Sequence, residues 1–211
     1  MELKSLRNKI DAIDRKIVVL LNDRSAVTLK IAGEKQKNGK SVYAPERESQ
    51  VLSKVSSFGR KGLLDKDSLR AIYREIISSS LKLEKPLKVA YLGPQASFSN
   101  LAALKKFGSQ VGFIPSSSIA EVFSSVERGE ADYGVVPVEN SIEGAVTHTL
   151  DLLVDSDLMI CSQVILDVAH NLLGNCPREK IKRVYSNPQV FGQCRSWLKD
   201  NLAFAEQIEV S

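Results

Sequence analysis

One feature constrains this chain more than any other. Leu3, Leu6, Ile10, Ile13, Ile17, Leu20, Arg24, Val27 and Ile31 step through the N-terminal region by alternating threes and fours. That spacing lays one stripe along a helix. No proline breaks it, and the only glycine before Asn38-Gly39 is Gly33. A helix from Leu3 to Lys37 runs about 50 Å at about 1.5 Å per residue. This is too long for a compact helical region that ends near Lys85. Its apolar stripe needs a second chain to cover it, so the spacing predicts an intertwined dimer.

The region is completed by two shorter helices. Pro45 suits the first turn of one that runs to about Ser57 and stops at Gly59. Asp65 or Asp67 can cap another that runs to Glu84. At Lys85-Pro86-Leu87 the pattern changes, because proline biases the residue before it away from the helix. The expected organisation is an all-α three-helix domain over 1–85 and an α/β domain over 86–211.

In the second region apolar β-rich runs alternate with helical ones. KVAYL, VGFI, YGVVPV and KRVYS read as strands. Ser99–Phe107, Ile119–Arg128, Ala145–Val154 and Gln189–Asn201 read as helices. LMICSQVILDVAHNLL reads as a long β-rich stretch. This alternation predicts a sheet with parallel strands and helices on both faces.

Composition narrows the function. Hydrophobic residues at 43% and charged residues at 26% of 211 suffice for a buried core. A net charge of +4, with dispersed basic residues, is too mild for a nucleic-acid binder but suits a small anionic substrate. No apolar run is long enough for a membrane span, and the charged N-terminus lacks the core of a signal peptide. A cytoplasmic protein is expected. Cys161, Cys176 and Cys194 form no CxxC, and His148 and His170 are the only histidines. No metal site is expected, and the thiols are read as free and mostly buried.

Arg24 stands out, since a charge in an apolar stripe is costly unless it is paired. Lys35 lies about three turns further along, on the same face. No acid occupies the intervening helical spacings, and Asp23 and Glu34 point elsewhere. Two cations on one inward face make a site for an anion, although a salt bridge between helices is the other reading of Arg24.

LRNKIDAIDRKIVVLLNDR, IAGEK, APERE and IISSSLKLE, in that order, resemble the AroQ class of chorismate mutases, in the form fused to prephenate dehydratase. The resemblance implies a Claisen rearrangement of chorismate to prephenate, which needs no cofactor. It implies that Arg24 binds a substrate carboxylate and that Arg7 reaches into the partner subunit's site. It implies that Lys35 donates to the ether oxygen and a carboxylate. Arg47 and Glu48 match the pair that opens the second helix, with Glu48 accepting from the substrate hydroxyl. Ser80 matches a carboxylate-contacting serine, and Glu84 falls at the position facing the ether oxygen. Ala44 departs from an acidic residue of some members. Glu84 has to be protonated to donate there, which requires burial to raise its pKa.

KVAYLGPQASFSNLAA, VVPVENSIEGAVTHTLDLL, VYSNPQVFGQCRSWL and IEVS resemble prephenate dehydratases, with Asn187 in place of the more usual histidine. That family removes water and carbon dioxide from prephenate to give phenylpyruvate, on a fold like the lobes of periplasmic solute-binding proteins. The matched residues are Glu139 and Gln189 as catalytic candidates, with Asn140, Ser141, Ser97 and Ser99 lining the substrate. The family's later threonine-bearing element and its regulatory domain have no counterpart before Ser211, so absent or very weak dehydratase activity is expected of this chain. Two other readings stay open: an active mutase carrying a non-catalytic binding lobe, and a purely structural helical module.

Overall fold

The computed structural model describes residues 3–38, 44–58, 62–140 and 144–210. The chain opens on α1, Leu3–Lys37, a single helix of 35 residues. It is followed by α2, Pro45–Phe58, and α3, Lys66–Glu84. Asp65 caps α3 by accepting from the Ser68 amide at 2.6 Å. Proline opening α2 and aspartate capping α3 are the two devices the sequence offered, and both are used.

None of the described residues of α1 is fully buried. Eight of its striped apolar positions, Leu3, Leu6, Ile10, Ile13, Ile17, Leu20, Val27 and Ile31, are 44–65% exposed. The half-buried positions of α1 are Arg24, Ser25, Thr28, Ala32, Gly33 and Lys35, at one edge of the stripe and just beside it. Arg24 therefore belongs to the face turned to the chain's own α3, while the apolar stripe is left uncovered.

After α3 the order becomes β1 (Lys88–Leu92), α4 (Phe98–Phe107), β2 (Gly112–Ser116), α5 (Ile119–Glu127) and β3 (Tyr133–Val135). The three strands form a sheet in the order β2-β1-β3, and both pairings are parallel. Alternation along β1 decides what covers each face. Val89 and Tyr91 pack with Ala103 and Phe107 of α4 and Leu81 of α3. Ala90 packs with Val122 of α5 and Ala131. The expected parallel sheet with helices on both faces is present, and α3 is one of those helices.

Beyond it come β4 (Glu139–Asn140), β5 (Gly144–Ala145), α6 (Thr147–Asp155), β6 (Arg183–Ser186), α7 (Pro188–Asn201) and β7 (Glu206–Glu209). β4 pairs with β5, and β6 with β7 in parallel. Phe191, Leu198 and Leu202 form a small core under β6. Two compact units result: 1–138 with 145–165, and 139–144 with 166–211.

Two expectations need correction. The stretch read as β-rich, Leu158–Leu173, contains no strand. Its β-branched residues propose a strand, but a strand exists only where a neighbour completes its hydrogen bonds, and none pairs with it here. The thiols are free, yet Cys161 and Cys176 are exposed and Cys194 is half-buried. The first two lie on or beside that unpaired stretch, which explains their exposure. Among the described residues no helix is long and apolar enough to cross a membrane.

Candidate active site

Helix geometry brings together two pairs of residues that lie far apart in sequence. Ser80 and Glu84 are one turn apart on α3, and Arg24 and Lys35 lie on the face of α1 turned toward them. The Arg24 guanidinium donates to Ser80 Oγ at 2.5 Å. Ser80, which is buried, donates its own O–H to the Ile76 carbonyl at 2.8 Å. Its hydroxyl is thus an acceptor toward Arg24, and it fixes one end of the guanidinium. The other donors of the fork stay available for a planar anion.

Glu84 closes the cluster. Burial pushes its carboxyl above the ordinary range, against the opposing pull of the Lys35 and Arg24 charges. Its Oε2 is buried without a hydrogen-bond partner among the described residues. A buried carboxyl oxygen beside two cations marks a candidate functional position. The arrangement sets two cations beside a carboxyl whose pKa burial raises.

The remaining helical candidates are placed differently. Arg7 sits 17 positions before Arg24 on the same helix, about 26 Å away at about 1.5 Å per residue. It cannot join the cluster of its own chain. Arg47 is exposed and reaches Gln50 at 3.4 Å. Glu48 is buried, and its carboxylate is ion-paired with Arg74 of α3 and, at 4.0 Å, with Lys106 of α4. The pair that opens α2 is therefore split, one member in solvent and one inside.

The candidates of the α/β region fall in both compact units. In the first, Ser97 is the cap of α4, accepting from the Asn100 amide at 3.2 Å and donating to the Leu92 carbonyl at 2.9 Å. Ser99 is half-buried in the first turn of the same helix. In the second unit, Glu139 is exposed and Asn140 half-buried on β4. Gln189 opens α7, where Asn187 accepts from its amide at 3.0 Å. The departure at Asn187 thus serves as a helix cap, a role asparagine fills well. Ser141 lies outside the described residues.

Two known families account for nearly the whole chain. The prephenate dehydratase model matches residues 89–211, and the chorismate mutase type II model matches 6–85. The chain belongs to the prephenate dehydratase family and carries a chorismate mutase type II region ahead of it. Relatives that match along the whole chain carry a bifunctional name. The bifunctional chorismate mutase/prephenate dehydratase of Aquifex aeolicus is 44% identical over 213 residues, which cover 99% of this chain. The protein of that name from Pseudomonas aeruginosa is 43% identical over 217 residues, covering all of it. The chain spans 59% of the length of each. Among solved structures, a prephenate dehydratase from Arthrobacter aurescens, in complex with L-Phe, superposes with a TM-score of 0.51 at 30% identity. That match covers 59% of this chain and 43% of the other.

Within this family frame, Arg74 and Lys106 are the residues that sequence reasoning passed over. Their signal was present: Arg74 and Ser78 interrupt the face of α3 that carries Ile77 and Leu81. A charge in such a face asks for a buried partner.

Proposed function

We propose that the helical region is a chorismate mutase and that the α/β region acts on its product as a prephenate dehydratase. The observation that carries the first half is the Arg24–Ser80 hydrogen bond with Lys35 and Glu84 beside it. The rearrangement breaks the ether C–O bond of chorismate and forms a C–C bond in one step. Negative charge grows on the ether oxygen as it does so. Catalysis then requires holding a dicarboxylate in its compact conformer and donating to that oxygen. Arg24 grips a carboxylate with its free donors while Ser80 holds the guanidinium in plane. Lys35 and protonated Glu84 face the ether oxygen. Glu48 accepts from the substrate hydroxyl, Arg47 closes over a carboxylate from α2, and Arg7 arrives from a second chain.

The uncovered stripe of α1 supports that second chain: a homodimer would bury it and carry Arg7 to the distant cluster. The dehydratase half is supported by the family match over 89–211. The family resemblance assigns substrate contacts to Ser97, Ser99, Asn140 and Ser141, and the roles in decarboxylation and loss of water to Glu139 and Gln189. A division at about residue 85 accords with the bounds of the two family models. Lobes like those of periplasmic binding proteins and a cytoplasmic location belong to the same reading.

The test is loss of chorismate absorbance with Arg24→Ala. We expect the variant to fold as the wild type does and to lose at least about a hundredfold in kcat/KM, the scale of removing a preorganised charged donor. Near-normal turnover by a folded variant would remove Arg24 from the site.

A further inference from the structure

α3 belongs to the helical region, yet one of its faces is bound to the α/β region by a continuous set of contacts. Leu81 and Ile77 enter the core that Val89, Phe107 and Val111 share. Ser78 is fully buried, and its Oγ accepts from the Gln110 amide at 3.0 Å. The Glu75 carboxylate accepts from the Ser109 amide at 3.1 Å and from the Ser109 hydroxyl at 2.6 Å. Gly108 lies so close that a Cβ there would come within 2.6 Å of the Ser78 Cβ.

At the end of this seam stands Arg74. One of its terminal nitrogens, Nη1, donates both to the Glu48 carboxylate and to the main-chain carbonyl of Lys106, the latter at 2.7 Å. The Lys106 ammonium adds its charge 4.0 Å from the other Glu48 oxygen. The Glu48 side chain is 5% exposed, and those of Arg74 and Lys106 are 22% and 17% exposed. A carboxylate this deep, on a helix with no other buried charge, takes its orientation from these partners.

We infer that Arg74, anchored on the Lys106 carbonyl of the α/β region, is a positioning residue that holds Glu48 for the mutase reaction. The inference rests on the reading of Glu48 as the acceptor of the substrate hydroxyl. It makes the mutase site dependent on the α/β region: the last turn of α4 supplies the carbonyl that aims Arg74, and Arg74 aims Glu48. Arginine suits the task because its planar group holds Nη1 between the two acceptors, whereas lysine is a mobile point charge.

The experiment is a double-mutant cycle on kcat/KM for chorismate, in the whole 211-residue chain, with Glu48→Gln, Arg74→Met, Arg74→Lys and the combinations. Helical circular dichroism checks folding of each. Arg74→Met should lose about ten- to a hundredfold, the scale of misplacing a catalytic contact by about 1 Å. Arg74→Lys should recover part of the loss. In the Glu48→Gln background neither change at Arg74 should cost more than about twofold, because an intermediary has nothing left to position. Losses that add in the double variants would show a merely structural role and overturn the inference. So would a folded Arg74→Met with wild-type kcat/KM beside a damaged Glu48→Gln, an outcome that leaves the mutase reading standing. A wild-type rate for Glu48→Gln overturns the role of Glu48 itself, and the inference with it. If Arg74→Met does not fold, the cycle with Arg74→Lys decides by the same additivity criterion.

Discussion

At Glu84 a single proton decides whether the side chain helps or hinders. The ether oxygen gains negative charge in the transition state, so a neutral carboxylic acid donates to it while a carboxylate repels it. Burial raises the pKa of this carboxyl, and Lys35 and Arg24 pull against that rise. The sign follows: the donor form is fully present below the raised pKa and is lost as pH climbs through it. The kcat/KM for chorismate should therefore decline on the alkaline side of that pKa. Glu84→Gln keeps the shape and carries a permanent N–H donor, so its profile should stay flat there. A pH series on both proteins makes the comparison. An unchanged alkaline decline in the glutamine variant assigns the titration to another group.

At the scale of the element, α3 meets α1, α2 and the core of the first sheet. One face carries Ser80 and Glu84 toward α1, another carries Ile77, Ser78 and Leu81 into the core of the sheet, and Arg74 reaches Glu48 on α2. Close approach on the sheet side is set by Gly108, which has a φ of 75° and no room for a side chain. Gly129 is the natural control, with a φ of 71° and open space around it. Gly129→Ala should cost about 1 kcal/mol, the backbone term alone. Gly108→Ala should cost about 2–3 kcal/mol, since Ser78 must also move. Urea unfolding midpoints read the difference, and equal costs would mean that α3 and α4 yield easily.

For the whole molecule, the governing fact is a helix of 35 residues whose apolar stripe the chain does not cover itself. A two-fold partner would hide both stripes at once and give each site an arginine from the other chain. Arg7→Ala and Lys35→Ala should each be inactive. Mixed in equal amounts and allowed to exchange subunits, they should recover about a quarter of wild-type turnover, because half the dimers are mixed and each has one intact site. Chorismate turnover before and after exchange measures it. No recovery despite proven exchange would place Arg7 outside its partner's site.

The sequence by itself determined the elements and their chemistry. The three-four spacing fixes α1, proline and aspartate open α2 and α3, and alternating apolar runs make the parallel sheet, because these depend on neighbours a few residues away. The pairing of Arg24 with Lys35 on one face was legible for the same reason, as was the raised carboxyl at Glu84 once burial was expected. What only the tertiary structure decided is which side of each element meets which. α1 turns only the edge of its stripe, with Arg24 and Lys35, toward α3. Leu158–Leu173 has strand-forming residues and no strand beside it. Glu48 is buried among Arg74 and Lys106, residues 26 and 58 positions away by number. Such contacts depend on long-range packing, and no local period encodes the partner that a buried charge will find.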